Sequence, residues 1–218
     1  MEYMFNNCKL LKEIKGINKF KTGKVSNMKT MFQQCEHLEY LDLSNFDTSN
    51  VTDMSWMFNY CKSLKEIKGI NTFKTNKVEN MESMFRMFKQ CYEIEYLDLS
   101  SFDTSKVVSM EGMFNNCYKL KEIKGINKFI TNKVANMSTM FQYCYELEYL
   151  DLSNFKTENV TDMSWMFCDC NKLKYLNLLN FSINCETKNM FNFQFKNNCE
   201  FITNNKGLLD LYNIYNIS

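Results

Sequence analysis

Residues Ser44 to Cys61 read SNFDTSNVTDMSWMFNYC, and residues Ser153 to Cys170 read SNFKTENVTDMSWMFCDC. A string of that length returning nearly unchanged marks a tandem repeat, and its last element, MF-x-x-C, sets the period. The marker ends at Cys8, Cys35, Cys61, Cys91, Cys117, Cys144 and Cys170, with spacings of 27, 26, 30, 26, 27 and 26 residues. The long spacing holds a three-residue insertion, visible as the doubled MFRMF from Met84 to Phe88.

Counted from each cysteine, apolar residues return at fixed offsets. Three and six residues on stand Leu11 and Ile14, Leu38 and Leu41, Leu64 and Ile67, and so on to Leu173 and Leu176. A phenylalanine column (Phe20 to Phe181), a valine column (Val25 to Val160) and two methionines follow before the next MF. The L-x-x-L-x-L stretch alternates as a short strand does, every second residue turning inward. M-x-x-M-F-x-x-C has helical spacing and follows Asn27, Asp53, Asn80, Ser109, Asn136 or Asp162. Those are good N-cap residues, so the pattern predicts a short helical turn. No single unit buries its own apolar face; stacking closes the core, and seven rungs extend roughly 30 Å.

Two unit types alternate: a longer one, LKEIKGINxFxTxKVxNM from Leu11 to Met28, and a shorter one, LEYLDLSNFDTSNVTDM from Leu38 to Met54. The extra residue falls beside Gly16, Gly69 or Gly125, where the missing Cβ suits a bulge. The polar strand positions keep the same two-unit period. Five residues after the marker come Glu13, Tyr40, Glu66, Tyr96, Glu122, Tyr149 and Tyr175; seven after it come Lys15, Asp42, Lys68, Asp98, Lys124, Asp151 and Asn177. The column just before these also alternates in sign, from Lys12, Glu39 and Lys65 to Glu148 and Lys174. Identical rungs would set like charges in line, whereas a two-unit period turns repulsion into attraction. These columns set stacking register and also form the candidate protein-binding face: Glu13, Lys15, Tyr40, Asp42, Glu66, Lys68, Tyr96, Asp98, Glu122, Lys124, Tyr149, Asp151 and Tyr175. Trp56 and Trp165 occupy one place in two nearly identical units and are candidate aromatic anchors for a partner.

Reactive residue types have plainer readings. Seven of the ten cysteines form one column flanked by core residues. Parallel stacked side chains are poorly placed for disulfides, so the column reads as a ladder of small buried hydrophobes. Cys168, Cys170, Cys185 and Cys199 lack the paired C-x-x-C spacing of a zinc site. His37 is the only histidine and stands in a loop position, and the methionine column reads as core filling. The Thr22 to Thr157 column predicts a hydrogen-bonded corner ladder. No convergent base, nucleophile and oxyanion donors occur, so the chain reads as non-catalytic, with no metal and no cofactor.

The composition excludes further classes. Twenty-six basic against 25 acidic residues give a net charge of +1, too little for an overall field that steers nucleic acid; only a local patch remains open. Arg86 is the only arginine, so bidentate phosphate or carboxylate forks are nearly absent. No apolar run of 18 residues predicts membrane insertion, and the N-terminal stretch does not read as a signal peptide.

The units resemble BspA-type leucine-rich repeats, specifically the lipoprotein-associated variety with SNFDTSNVTDMSxMFxxC, over roughly residues 1–181. The resemblance implies an α/β repeat solenoid: a leucine-rich-repeat-like right-handed stack with a parallel β-sheet on one face and short helical turns on the other. Residues 182–218 break the register and read as a degenerate C-terminal cap. The expected function is a protein-binding repeat module, adhesin-like or a scaffold, using the sheet face on an unknown protein partner. The alternative is a structural module that self-associates by stacking through an uncapped N-terminal edge. Location stays open: cytoplasmic as the chain stands, cell surface by the family resemblance if it is a fragment.

Overall fold

A computed structural model describes residues 1–78, 86–192 and 199–216. The chain is a parallel β-solenoid with little helix. Seven strands of three residues each stand among the described residues: β1 (Tyr40–Asp42), β2 (Glu66–Lys68), β3 (Tyr96–Asp98), β4 (Glu122–Lys124), β5 (Tyr149–Asp151), β6 (Tyr175–Asn177) and β7 (Glu200–Ile202). They pair in parallel as β1-β2, β3-β4 and β5-β6-β7. The β1-β2 and β3-β4 pairs each join a shorter unit to the longer unit that follows it, whereas β5-β6 joins two units of the shorter kind and β7 extends that sheet. The central residue of each of β1 to β6 is buried and its neighbours face outward, as alternation requires.

Inside, like stacks on like. Phe5, Phe32, Phe58, Phe88, Phe114, Phe141, Phe167 and Phe191 form one column with ring centroids 5.5 to 5.8 Å apart. The methionine column is buried beside it, for example Met28, Met31, Met54 and Met57, all at 0 % exposure. All ten cysteines are free. From Cys35 to Cys170 each marker thiol donates to a phenylalanine carbonyl one rung back, Cys61 Sγ to Phe32 O at 3.0 Å and Cys117 Sγ to Phe88 O at 3.1 Å. The cysteine column is thus a satisfied core ladder. Threonine does the equivalent at the corner: Thr75 Oγ1 donates to Asp103 O at 2.9 Å and accepts from Asp103 N–H at 2.7 Å. The same reciprocal pair recurs from Thr22 to Thr157.

Two local expectations are corrected. M-x-x-M-F-x-x-C forms no helix; it is a run of tight turns whose N–H groups bond alternately within the rung and to the next one. Met31 N–H reaches Met28 O at 3.2 Å and Cys35 N–H reaches Phe32 O at 3.2 Å, while Thr30, Phe32 and Gln34 donate to Ser55, Met57 and Asn59 at 2.8 to 3.0 Å. A helix would satisfy those donors internally and leave the rungs unjoined. The turns require positive φ twice per rung, as at Thr30 and Gln34, Trp56 and Tyr60, Gly112 and Asn116. The predicted caps still cap: Asp53 Oδ1 accepts from Ser55 N–H at 2.9 Å and Asn136 Oδ1 from Ser138 N–H at 2.8 Å. They close turns two residues long rather than open helices. The extra residue of the longer unit enters no bulge either. It is taken up in a 3₁₀ turn at Ile17–Lys19, Ile70–Thr72 and Ile126–Lys128, each led by glycine at φ 76 to 85°. The insertion up to Phe85 and the Asn80 cap lie outside the described residues.

At the C-terminal side the rung pattern runs on through residues 182–192. Asp162 bridges Glu186, Phe167 N–H donates to Met190 O at 3.0 Å, and Phe191 joins the phenylalanine column. The helix α1 (Lys206–Asn216) then covers that end, burying Leu208 and stacking Tyr212 on Phe201 at 4.1 Å. At the other end the first rung hydrogen-bonds to the second through Tyr3, Phe5 and Asn7. Its column members Phe5, Leu11, Ile14, Phe20 and Val25 are only half-buried. No helix among the described residues is long and apolar enough to cross a membrane.

Candidate functional site

The outward strand positions gather most of the predicted face. Register pairs Tyr40 with Glu66 and Asp42 with Lys68 across β1-β2, Tyr96 with Glu122 and Asp98 with Lys124 across β3-β4, and Tyr149 with Tyr175 across β5-β6. Asp151 lies opposite Asn177. Glu13 and Lys15 precede the first strand, stay exposed, and pair with each other at 3.2 Å. The face is therefore three patches along the stack rather than one continuous ladder.

Charge pairing follows the paired strands. Lys65, Lys121 and Lys174 each lie 2.6 Å from Glu39, Glu95 and Glu148 on the rung before. A second, parallel column pairs Lys62 with Glu36, Lys119 with Glu93 and Lys172 with Glu146, also at 2.6 Å. Lys124 and Asp98 stand 3.0 Å apart and Lys68 and Asp42 3.9 Å. The hydrogen bond from Lys121, then its charge, holds the Glu95 carboxyl below its ordinary range; Lys65 does the same to Glu39. The alternation of sign thus staples each of the units beginning at Leu38, Ile94 and Leu147 to the unit that follows it.

Between these neutralised rows the tyrosines stand out. Tyr40, Tyr96 and Tyr149 are 41, 47 and 54 % exposed, on backbone fixed by strand pairing. Tyr149 stacks on Tyr175 at 4.5 Å, and its phenol is pushed above its ordinary range by burial first and then by Tyr175. Trp56 and Trp165 lie on the turn segment away from the strands, both half-buried and both at φ 61°. The Arg86 guanidinium covers the Trp56 ring at 5.5 Å.

Sequence reasoning missed one aromatic group. Tyr92, Tyr118 and Tyr145 stack at 4.5 and 5.1 Å along the rim beside the strands, with Tyr143 tilted against Tyr145 at 6.0 Å. With Glu95, Lys119, Lys121 and Glu146, Tyr118 and Tyr145 line a shallow open depression of about 360 Å³. The signal was there, since the position after the marker cysteine reads Lys9, Glu36, Lys62, Tyr92, Tyr118 and Tyr145.

The ladder thiols are kept neutral: burial pushes Cys61, Cys91, Cys117 and Cys144 well above the ordinary thiol range. His37 is exposed and its Nδ1 lies 2.7 Å from Lys9 O. Among the described residues no three His, Cys, Asp or Glu side chains gather as a metal site.

The family model described as "Mycoplasma protein of unknown function, DUF285" matches residues 1–87 and 84–205. The chain belongs to the DUF285 family. No curated protein sequence matches it. Among the solved structures similar to this DUF285 chain are bacterial leucine-rich repeat proteins. A leucine-rich cell surface protein from Faecalibacterium prausnitzii is 16 % identical over 70 % of this chain and 52 % of its own, with a TM-score of 0.39. The leucine-rich repeat protein of T. pallidum is 17 % identical over 67 % and 69 %, TM-score 0.39. One from Bacteroides ovatus is 16 % identical over 93 % and 58 %, TM-score 0.37. The DUF285 chain spans about half the length of the first of these.

Proposed function

We propose that this chain is a non-catalytic protein-binding module, adhesin-like or scaffolding, that engages its partner through the sheet face. The observation that carries the reading is the column Tyr40, Tyr96 and Tyr149, large aromatics held exposed on a rigid, hydrogen-bonded surface. Aromatic side chains so placed supply contact area at low entropic cost, and the surrounding ion pairs form a polar rim. The bacterial leucine-rich repeat surface proteins it resembles in fold are in keeping with such a role.

The test is affinity capture with the wild-type chain and a Tyr40→Ala, Tyr96→Ala, Tyr149→Ala variant. The partner is identified by mass spectrometry, purified, and measured directly against both. A purified partner that binds both proteins equally would sink the sheet-face reading. A second reading is edge stacking, favoured by the half-buried column residues and the exposed Tyr3, Met4 and Leu10 of the first rung. Concentration-dependent oligomers that a Leu10→Glu, Met4→Lys variant abolishes would support it, and a monomer at all concentrations would exclude it.

A further inference from the structure

We infer that the lysine-rich corner of the coil, where the chain leaves the sheet through the phenylalanine and threonine columns, binds an acidic polysaccharide of the uronate class laid along the stack. From the end of each strand to the following valine, residues 17–25, 43–51, 69–78, 99–107, 125–134 and 152–160, the corner carries nine lysines against three carboxylates, Asp47, Asp103 and Glu158. That excess of six stands in a chain whose net charge is only +1. The sheet-side lysines are spent on carboxylates one rung back. The corner lysines are exposed, and apart from Lys106 none of them forms an ion pair among the described residues.

The positions are ordered. The residue before each valine is Lys24, Asn50, Lys77, Lys106, Lys133 or Asn159, a column without an acid. Its asparagines are tied to the preceding rung, Asn50 Nδ2 to Gly23 O at 2.8 Å and Asn159 Nδ2 to Asn132 O at 2.7 Å, and Lys77 Nζ rests on Asn50 Oδ1 at 2.8 Å. Lys24, Lys77 and Lys133 therefore recur every second rung, a separation of roughly 10 Å.

The chemistry around them selects among polyanions. Sequence-tolerant nucleic-acid grooves stack bases on exposed aromatics and use arginine planes; here the phenylalanine columns are buried at 0–5 % from Phe46 to Phe181 and no arginine is present. A membrane-surface anchor presents a broad apolar face beside its basic one, whereas Ile130 is the one large apolar side chain exposed within these corner stretches. What surrounds the lysines is amide: Asn45, Asn71, Asn76, Asn127 and Asn132 are all exposed. Point charges at regular intervals with amides between them suit a chain that alternates carboxylate-bearing and hydroxyl-bearing sugars.

The experiment measures the full chain against polygalacturonate by calorimetry at low salt, with dextran as the neutral control. Binding should appear with polygalacturonate alone and fade as salt screens the charges. Changing Lys24, Lys77, Lys133 and Lys156 to Gln should weaken it roughly tenfold or more, while Lys65→Gln, Lys121→Gln, Lys174→Gln should leave it within about twofold because those lysines are already paired. Circular dichroism checks that each variant folds; should the quadruple variant melt early, Lys24→Gln with Lys133→Gln makes the same comparison. No binding at low salt, equal loss in the sheet-side variant, or binding to dextran would overturn the inference. So would phosphatidylglycerol vesicles or oligothymidylate bound as tightly through the same lysines, which would make the corner a generic polyanion surface.

Discussion

The backbone of Ser44 fills the space that a Cβ on Gly69 would need: such an atom would lie 2.4 Å from the Ser44 Cα and 2.6 Å from its nitrogen. Gly125 meets Ser100 in the same way, at 2.5 and 2.6 Å. Both glycines also sit at φ +85°, where a side chain is strained. One residue type thus answers two demands, the left-handed turn into the 3₁₀ segment and the close approach of the preceding rung.

Gly16 separates those demands, because it has φ +76° but its nearest neighbour to an added Cβ is the flexible Lys19 side chain at 3.9 Å. Gly16→Ala should cost about 1 kcal/mol from backbone strain alone. Gly69→Ala adds a clash with main chain and should cost about 3 kcal/mol. Urea unfolding of the two variants reads the difference; equal losses would mean that the rungs part readily at Ser44.

Thr75 holds both backbone groups of one residue on the next rung, accepting from Asp103 N–H and donating to Asp103 O. Thr75→Val keeps the shape but leaves that part-buried N–H without its acceptor, and should cost about 1 kcal/mol. Thr75→Ser keeps the hydroxyl and should recover most of the loss. If valine and serine variants melt alike, the ladder is packing and not hydrogen bonding.

How much of this was legible depends on what repeats. The core offsets, the threonine ladder and the outward columns recur with constant residue types, so their places followed from the sequence. The turn segment was misread as helical because M-x-x-M-F is equally the spacing of turns that bond to the next rung. The residues at positive φ there, Thr30, Trp56, Arg86, Gly112, Thr139 and Trp165, share no type, and Gly112 alone hints at the conformation. The tyrosine stack at Tyr92, Tyr118 and Tyr145 was missed because its column begins with charged residues. The one-sided pairing of Lys121 with Glu95 was hidden by an alternation that reads the same in both directions.

The cysteine ladder makes the fold sensitive to alkali. Burial raises these thiols, Cys35 from 9.0 to about 12 and Cys61, Cys91, Cys117 and Cys144 well above 9.0. An acid whose folded pKa lies above its unfolded value stabilises fully below the unfolded value and loses that stabilisation as pH rises beyond it. The melting temperature should therefore fall from about pH 9 upward, and Cys91→Ala with Cys117→Ala should flatten that fall while lowering stability at pH 7. An unchanged alkaline slope in the variant would place the sensitivity elsewhere.

Glu95 and Lys121 should behave as one unit whose worth lies in choosing the neighbour. Lys121→Glu would set a carboxylate against Glu95 at a contact now 2.6 Å long, and like charges directly opposite destabilise paired strands. Adding Glu95→Lys reverses the pair and should restore most of the lost melting temperature, whereas Glu95→Lys alone should fail as Lys121→Glu does. The acid limb carries a matching signature. Because the Lys121 hydrogen bond, then its charge, lowers the Glu95 pKa, the stabilisation is present above the ordinary value of 4.5 and disappears as pH falls below it. Lys121→Gln should therefore resemble the wild type at pH 3 and differ from it at pH 7, and the pH 7 gap should narrow in about 1 M salt, where the Debye length is near 3 Å. Thermal melts at the two pH values and two salt concentrations decide it. A gap that persists unchanged at pH 3 would assign the role of Lys121 to packing of its alkyl stem.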